Sequence, residues 1–237
     1  MTGLLVTGTG RNVGATVVSA ALAALALARG QRATVLKPAE TGVPDGADGD
    51  LAAVARLAPG VQVVELTRFP NDLSPAAAAR ASGRAPLDPA RCVRAVLDAQ
   101  AVADLVVVEG TGGLLARYDD DGFTMAELAR TLRLPVLVVA EAGRGTLGHA
   151  ALTLEVMAHR GLELAGLVIG SWPQEPTLAA RSDVADLEML AARPLLGALA
   201  EGLGRAEPKA LVTAALRGLS PALGGTFDAV AFRRGSS

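Results

Sequence analysis

The stretch Leu4-Leu5-Val6-Thr7-Gly8-Thr9-Gly10-Arg11-Asn12-Val13-Gly14-Ala15-Thr16 constrains the fold more than any other part of the chain. The apolar run reads as a buried strand, the glycines as a tight loop, and the Ala-rich segment that follows as a helix. That order gathers backbone N–H groups and the positive end of a helix around one point, which is how a phosphate is cradled. The pattern approaches Gly-x-x-x-x-Gly-Lys-Ser/Thr, with one extra residue between Gly8 and Gly14 and with Thr16 at the hydroxyl position. Ala15 stands where the lysine belongs. The chain therefore keeps the outline of a nucleotide site and lacks its principal positive charge. Taken alone, the segment also fits a β–α turn with no ligand.

The rest of the chain alternates in the same way. Short Val- and Leu-rich runs bounded by Gly, Pro or Asp predict strands at Leu4–Thr7, Ala33–Lys37, Leu105–Glu109, Pro135–Ala140, Ala165–Ile169 and Leu195–Leu199. Because these runs are continuously apolar, they fit a parallel sheet covered on both faces. Helices are predicted at Ala15–Arg29, Leu51–Ala58, Pro75–Ser82, Pro89–Ala101, Thr124–Leu132, Thr146–Arg160, Thr177–Ala192 and about Pro208–Leu216. The expectation is an α/β, doubly wound, mostly parallel sheet of the P-loop NTPase type. It is expected to form one domain over residues 1–237, with the Gly- and Ser-rich stretch from Arg217 onward as a flexible tail.

Composition narrows the function classes. Aromatics are only 3% of a chain that is 51% hydrophobic, so the core is built from Ala, Leu and Val. The net charge of -2 and the lack of any basic run argue against a nucleic-acid or anionic-membrane partner. The apolar segment Val17–Ala28 is shorter than the ~20 residues needed to cross a bilayer. With no basic leader at the N-terminus and a single cysteine, Cys92, read as a core residue on a helix, the expected location is the cytoplasm.

Two further strand ends carry chemistry. Lys37-Pro38-Ala39-Glu40-Thr41-Gly42 follows the second strand, at the same sheet edge as the glycine loop. Lys37 closes an apolar run; on its own it reads as a lysine whose amine snorkels to solvent, and beside an anion site as a ligand. Asp104-Leu105-Val106-Val107-Val108-Glu109-Gly110-Thr111-Gly112-Gly113 ends a hydrophobic strand in a carboxylate and a glycine run, an arrangement suited to a metal ligand beside a close backbone approach. The loop from Asp45 to Asp50 offers further carboxylates; one could add an oxygen to a magnesium site, and Asp45 is expected to be solvated.

In combination these segments resemble ATP-dependent dethiobiotin synthetases. The resemblance rests on Thr7–Thr16, Lys37–Thr41, Val108–Gly113, Gly145-Thr146-Leu147-Gly148-His149 with Leu152-Thr153, and Pro194–Gly197, in order from Leu4 to about Gly202. It implies a ligase that uses Mg2+ and ATP, or another nucleoside triphosphate, to close a ureido ring from 7,8-diaminononanoate and CO2. It also implies a homodimer. Carried over residue by residue, Thr16, Asp50 and Glu109 would hold the metal, and Asn12, Val13, Gly14, Ala15, Thr16 and Val17 would wrap the phosphates. Lys37 would be the catalytic cation. Glu109, Gly110, Thr111 and Gly112 would face the nucleotide, and Gly170, Ser171, Ala200, Glu201 and Gly202 would lie near its base. Thr41 would contact the diamine or its carbamate, while Thr146, Leu147 and Gly148 would receive the substrate's carboxylate at a helix start. His149 fits a substrate-side or a structural role, and His159 a helix-end surface role.

The chain departs from the pattern at Ala15, at Asn12, where an acidic residue is common, at Gly148, where Asn is common, and at Gly170-Ser171, which replaces a base-reading pair. Loss of one donor to a developing charge typically costs ~100- to 1,000-fold in rate. Arg11 is the only basic residue in the loop, yet an arginine four residues earlier cannot follow the lysine's path along the helix start. Two other functions share this scaffold: a non-catalytic nucleotide-binding protein, which Ala15 favours, and a related amidoligase of the corrinoid type. The amidoligase reading lacks its glutamine-hydrolysing domain. A partition ATPase is disfavoured because its extra loop lysine is absent.

Overall fold

The valine- and leucine-rich runs are strands, and three of them, Gly3–Gly8, Ala33–Lys37 and Val136–Ala140, are buried along their whole length. The computed structural model describes residues 3–236. Along the chain these form β1 (Gly3–Gly8), α1 (Ala15–Ala28), β2 (Ala33–Lys37), β3 (Glu40–Thr41), α2 (Asp50–Leu57), β4 (Gln62–Glu65), β5 (Arg68–Phe69), α3 (Pro75–Ser82), α4 (Pro89–Val102), β6 (Leu105–Glu109), α5 (Met125–Leu132), β7 (Val136–Ala140), α6 (Thr146–His159), β8 (Leu164–Trp172), α7 (Leu178–Ala191), β9 (Gly197–Ala200), α8 (Pro208–Gly218) and α9 (Ala229–Ser236).

Seven strands make one sheet in the order β4-β2-β6-β1-β7-β8-β9. Every pairing in it is parallel. The chain winds one way from β1 to β4 and the other way from β7 to β9, so the order reverses around β1. In such sheets ligands gather at the carboxyl ends of the strands near that reversal. A second, two-stranded parallel sheet pairs β3 with β5, Glu40 opposite Arg68 and Thr41 opposite Phe69.

One core lies on each face of the main sheet. Helices α1, α2 and α8 cover Leu4, Val6, Val35, Val107 and Val139, whereas α4 to α7 cover Leu5, Leu36, Val106, Val108 and Val138. Helix α1 is buried continuously from Val18 to Ala26. It is sandwiched between the sheet and α2 and α8, and its Ala20, Ala21, Ala23 and Ala24 keep that approach short. A helix apolar on all sides is one that is covered on all sides.

The structure contains elements that the sequence pattern does not mark. Strand β4 at the sheet edge has exposed Gln62 and Val63, so it carries too little apolar signal to be seen. The two-residue strands β3 and β5 are below the length at which a period registers. The stretch from Arg217, expected to be a flexible tail, is instead built into the molecule. Helix α8 runs to Gly218, and α9 starts where Asp228 Oδ1 accepts from Val230 N at 2.9 Å and Ala231 N at 3.0 Å. Phe232 then packs edge-on against Trp172, ring centres 5.0 Å apart, and against Phe227 at 5.2 Å. Ser237 lies outside the described residues. Among the described residues no helix is long and apolar enough to cross a membrane.

Two titratable groups sit in the larger core. Cys92 is buried on α4, as its sequence context predicts, and burial pushes its thiol from 9.0 up to about 12. Burial likewise pushes the Tyr118 phenol from 10.0 up to about 12, against opposing hydrogen bonds to Thr111. Both groups are raised in the folded state, so the stability they contribute is complete below their unfolded values and is lost as pH climbs toward 12. Urea midpoints are therefore expected to fall progressively above pH 9, and a Cys92→Ala, Tyr118→Phe double variant to flatten that fall. Native Cys92 is expected to resist alkylation at pH 8 until denaturant is added, since the thiolate is the nucleophile.

Candidate functional site

The P-loop, the Lys37 strand end and the Glu109 strand end line one open cleft of about 550 Å3, together with Thr41, Asp50 and Gly110–Gly113. Each is placed by its strand. β1, β2 and β6 are neighbours with the same direction, so their last residues and the loops beyond them share a rim.

The phosphate loop is shaped by close backbone contacts. Gly14 holds φ 93° at the start of α1, and a Cβ there would lie 2.5 Å from the Gly170 carbonyl oxygen. A Cβ on Gly170 would meet Val13 O at 2.1 Å. Only paired glycines let the loop rest on β8 in this way. Among the described residues no side chain caps α1, and Ala15, Thr16 and Val17 of its first turn line the cleft, an arrangement suited to an anion. By contrast, Asp88 caps α4 and Thr177 caps α7 through their side chains.

Lys37 is the centre of the cluster. Its side chain is only 3% exposed, so it does not snorkel. The ammonium donates to Glu109 Oε1 at 2.9 Å and to Asp50 Oδ2, with Glu40 Oε1 4.0 Å away. Thr16 Oγ1 donates to the same Glu109 oxygen at 2.8 Å. Burial pulls the ammonium toward losing its proton, but the attraction of Glu109, Asp50 and Glu40 together outweighs it and raises the pKa. Lys37 therefore stays charged. Three carboxylates face one ammonium, which leaves the cluster with excess negative charge.

Glu40 is the residue that sequence reasoning passed over. It is 3% exposed and accepts from Asp50 N at 2.8 Å. A Cβ on Gly49 would lie 2.7 Å from Glu40 Oε2, so Gly49 is what lets the carboxylate reach the start of α2. Glu40 thus caps the helix whose first residue is Asp50. Burial pushes its carboxyl above the ordinary range, opposed by the Lys37 ammonium. The signal in the sequence was a carboxylate three residues beyond a lysine at the end of a buried strand.

Thr111 is held differently from a free ligand. Its N–H donates to Tyr118 Oη at 2.6 Å and its hydroxyl to Ala39 O at 2.6 Å. These bonds pin the loop after β6 to the loop after β2, and they leave Thr111 as a wall rather than a donor. Asp45 is exposed and paired with Arg84, while Arg68 donates to Ala47 O at 2.5 Å, so two arginines strap the loop that leads to Asp50.

The remaining predicted residues lie outside this cleft. Gly170 and Ser171 are in β8, with Gly170 against the P-loop. Ala200 ends β9; Glu201 accepts from Gln174 N at 3.0 Å, which ties the β9 and β8 loops together, and Gly202 takes φ 83° at the following turn. Arg56 of α2 donates to Gly204 O at 2.5 Å and Ala206 O at 3.1 Å, linking that turn to the helix of Asp50. Thr146, Leu147 and Gly148 open α6 after Gly145, with the Thr146 hydroxyl donated to Glu141 O at 2.8 Å. His149 Nδ1 is 3.4 Å from Glu141 Oε1, and His159 Nδ1 contacts Glu155 O at 2.9 Å on the surface.

The donor set suits a divalent cation. Glu109 Oε2 is buried and has no hydrogen-bond partner among the described residues, Thr16 offers a hydroxyl beside it, and Asp50 a half-exposed carboxylate. Magnesium is commonly held by one or two carboxylates plus phosphates and water. The excess of carboxylates over ammonium around Lys37 points to the same charge.

Parallel strands, a glycine loop opening a helix, and acid at a strand end define a P-loop nucleotide-binding α/β protein. Solved structures agree on the fold: the septum site-determining protein MinD with Mg-ADP from Pyrococcus horikoshii (TM-score 0.55, 14% identity, 90% of this chain and 93% of that one), and a ParA family ATPase from Chlorobium tepidum (TM-score 0.56, 12% identity, 91% and 98%). An AAA domain family model matches residues 2–202. Among curated proteins, the ATP-dependent dethiobiotin synthetase BioD of Parafrankia sp. is 56% identical over 234 residues, 99% of this chain and 98% of that one. That of Streptomyces coelicolor is 51% identical over 229 residues, 97% and 96%. The chain belongs to the ATP-dependent dethiobiotin synthetase family.

Removing one partner of a buried ion pair typically costs about 3–5 kcal/mol. Lys37→Met is expected to lower unfolding free energy by about that amount at pH 7, and by clearly less near pH 5, since Glu40, whose carboxyl burial already raises, takes up a proton more readily there; urea titrations at the two pH values check it. Gly170→Ala is expected to keep the sheet, by circular dichroism, and to displace the P-loop, weakening triphosphate binding at least about tenfold.

Proposed function

We propose that the chain is a working dethiobiotin synthetase that uses the Lys37 cleft to couple triphosphate cleavage to ureido-ring closure. The observation that carries this is the convergence of Thr16, Lys37, Asp50 and Glu109 on one rim beside an uncapped helix start. It is supported by 56% identity to a curated synthetase over nearly the whole chain.

In the reaction, an amine of 7,8-diaminononanoate adds to CO2, losing a proton to give a carbamate. A carbamate oxygen attacks the terminal phosphorus; the bond from that phosphorus to the bridging oxygen breaks, and ADP leaves with the electron pair. The second amine then attacks the carbonyl carbon of the mixed anhydride, phosphate departs, and loss of a proton completes the ring. The products are dethiobiotin, ADP and phosphate. Each step gathers negative charge at one place, so catalysis here is positioning plus charge stabilisation.

The residues divide that work. Asn12–Val17 wrap the phosphates, and Lys37 faces the carbamate and terminal phosphate. Thr41 contacts the diamine side, and Thr146–Gly148 receive the carboxylate tail at the start of α6. Gly170, Ser171 and Ala200–Gly202 border the base. Thr16, Asp50 and Glu109 would hold Mg2+, which supplies charge neutralisation to the phosphates. Lys37 reaches that role by exchanging carboxylate partners for substrate oxygens while it remains protonated.

The same reading gives a homodimer, for which exposed Leu152 on α6 offers apolar surface close to Thr146–Gly148. It also gives a cytoplasmic, single-domain protein with small-molecule substrates and no nucleic-acid or membrane partner. The lone buried Cys92 suits a reducing compartment.

The test supplies diaminononanoate, bicarbonate, Mg2+ and each nucleoside triphosphate, and measures dethiobiotin by mass spectrometry. Product is expected, with ATP among the triphosphates accepted. Ala15→Lys is expected to raise turnover at least about tenfold, a barrier change of about 1.4 kcal/mol. Tight triphosphate binding without product from either protein would favour a non-catalytic binding protein.

A further inference from the structure

The cleft has too little positive charge for the ligand it is shaped to take. Ala15 removes the lysine of the phosphate loop. Lys37 is already shared among Glu109, Asp50 and Glu40. Among the described residues lining the cleft, Arg11 is the only other cation.

Arg11 stands on the phosphate loop, and its side chain is 61% exposed. It donates to Asp72 Oδ1 at 2.5 Å, and Asp72 is 64% exposed. Asp72 sits against Gly42, where a Cβ would lie 3.1 Å from Asp72 Cβ. The pair therefore joins the phosphate loop at the cleft to the connection between β5 and α3, whose Leu73 and Ser74 also line it. An exposed pair of this kind favours its closed form by no more than about fivefold. A triphosphate presents several charges at once to a guanidinium that fits phosphate oxygens two at a time. In that competition Asp72 loses.

We propose that Arg11 is a catalytic residue: it leaves Asp72 for the terminal phosphate of the bound triphosphate and supplies from the loop's outer side the charge missing at position 15. It reaches the phosphate across the mouth, not along the helix start as the lysine would. Its guanidinium carries charge on the non-bridging oxygens while the carbamate–phosphorus bond forms and the bond to the leaving ADP breaks. It neither gives nor takes a proton. This rests on the triphosphate reading of the cleft given above.

The experiment is a double-mutant cycle on the full chain, read as kcat and KM for the triphosphate in dethiobiotin formation and as Kd for Mg-ATP. Arg11→Ala is expected to lower kcat/KM at least about tenfold in the native Ala15 background, and Arg11→Lys to recover part of it. Asp72→Asn is expected to tighten Mg-ATP by up to about fivefold, because Arg11 is released. In the Ala15→Lys background, Arg11→Ala is expected to cost less than about threefold, since two cations then overlap in function. The inference is overturned if Arg11→Ala stays within twofold of the native chain, or if its cost is the same in both backgrounds. If no variant forms dethiobiotin, the proposed activity fails while Arg11 is still judged by Kd: a loss of about tenfold or more for Arg11→Ala supports it, and a smaller change overturns it.

Discussion

A lysine ammonium buried among three carboxylates is the interaction around which the rest of the molecule is organised. Charges withdrawn from water are tolerated only when geometry compensates for lost hydration. Here the compensation comes from separate parts of the chain: Lys37 ends β2, Glu109 ends β6, Asp50 begins α2, and Glu40 holds α2 in place. None of these side chains could be stranded without raising the free energy of the others. The parallel order of β2, β6 and β1 is therefore more than a scaffold, since it brings the groups to one depth along one rim. The orphaned Glu109 oxygen and the unequal charge count fit a cation beside this cluster.

A second constraint is steric. The phosphate loop lies directly on β8, with backbone on backbone where Gly14 meets Gly170. The loop is fixed from beneath by the sheet, whereas its outer side carries the exposed Arg11. The loop is thus closely packed beneath and open to solvent at its rim. The pinning of Thr111 to Tyr118 and Ala39 stiffens the opposite wall in the same sense.

Much of this was legible in the sequence, for identifiable reasons. The strands Ala33–Lys37 and Leu105–Glu109 are buried on both faces, so hydrophobic continuity marked their limits, and the structure returns the same bounds. The helix at Pro75–Ser82 was framed by Pro75 at its first position and Gly83 at its left-handed end. Strand β4 was hidden by its half-exposed edge position, and α9 by a composition of Gly and Ser that conceals the cap at Asp228. At the site, Lys37 and Glu109 were marked by their places at strand ends, whereas Asp50 was singled out only by the family resemblance, since the residues alone left the carboxylates of the Asp45–Asp50 loop open. Glu40 was missed because its partner is a backbone N–H, and sequence pattern does not report which backbone groups remain unsatisfied. The depth of Lys37 was not legible either, since an apolar run ending in lysine describes a snorkelling side chain as well as an enclosed one.

Helix α2 joins two distant parts of the molecule. Asp50 opens it at the cluster, and Arg56, two turns on, grips the turn after β9 through Gly204 and Ala206. A short helix tied at both ends behaves as a strut. Displacement of the turn at one end is felt as displacement of a carboxylate at the other, so the turn after β9, which lies outside the cleft, and the cluster within it share one mechanical frame.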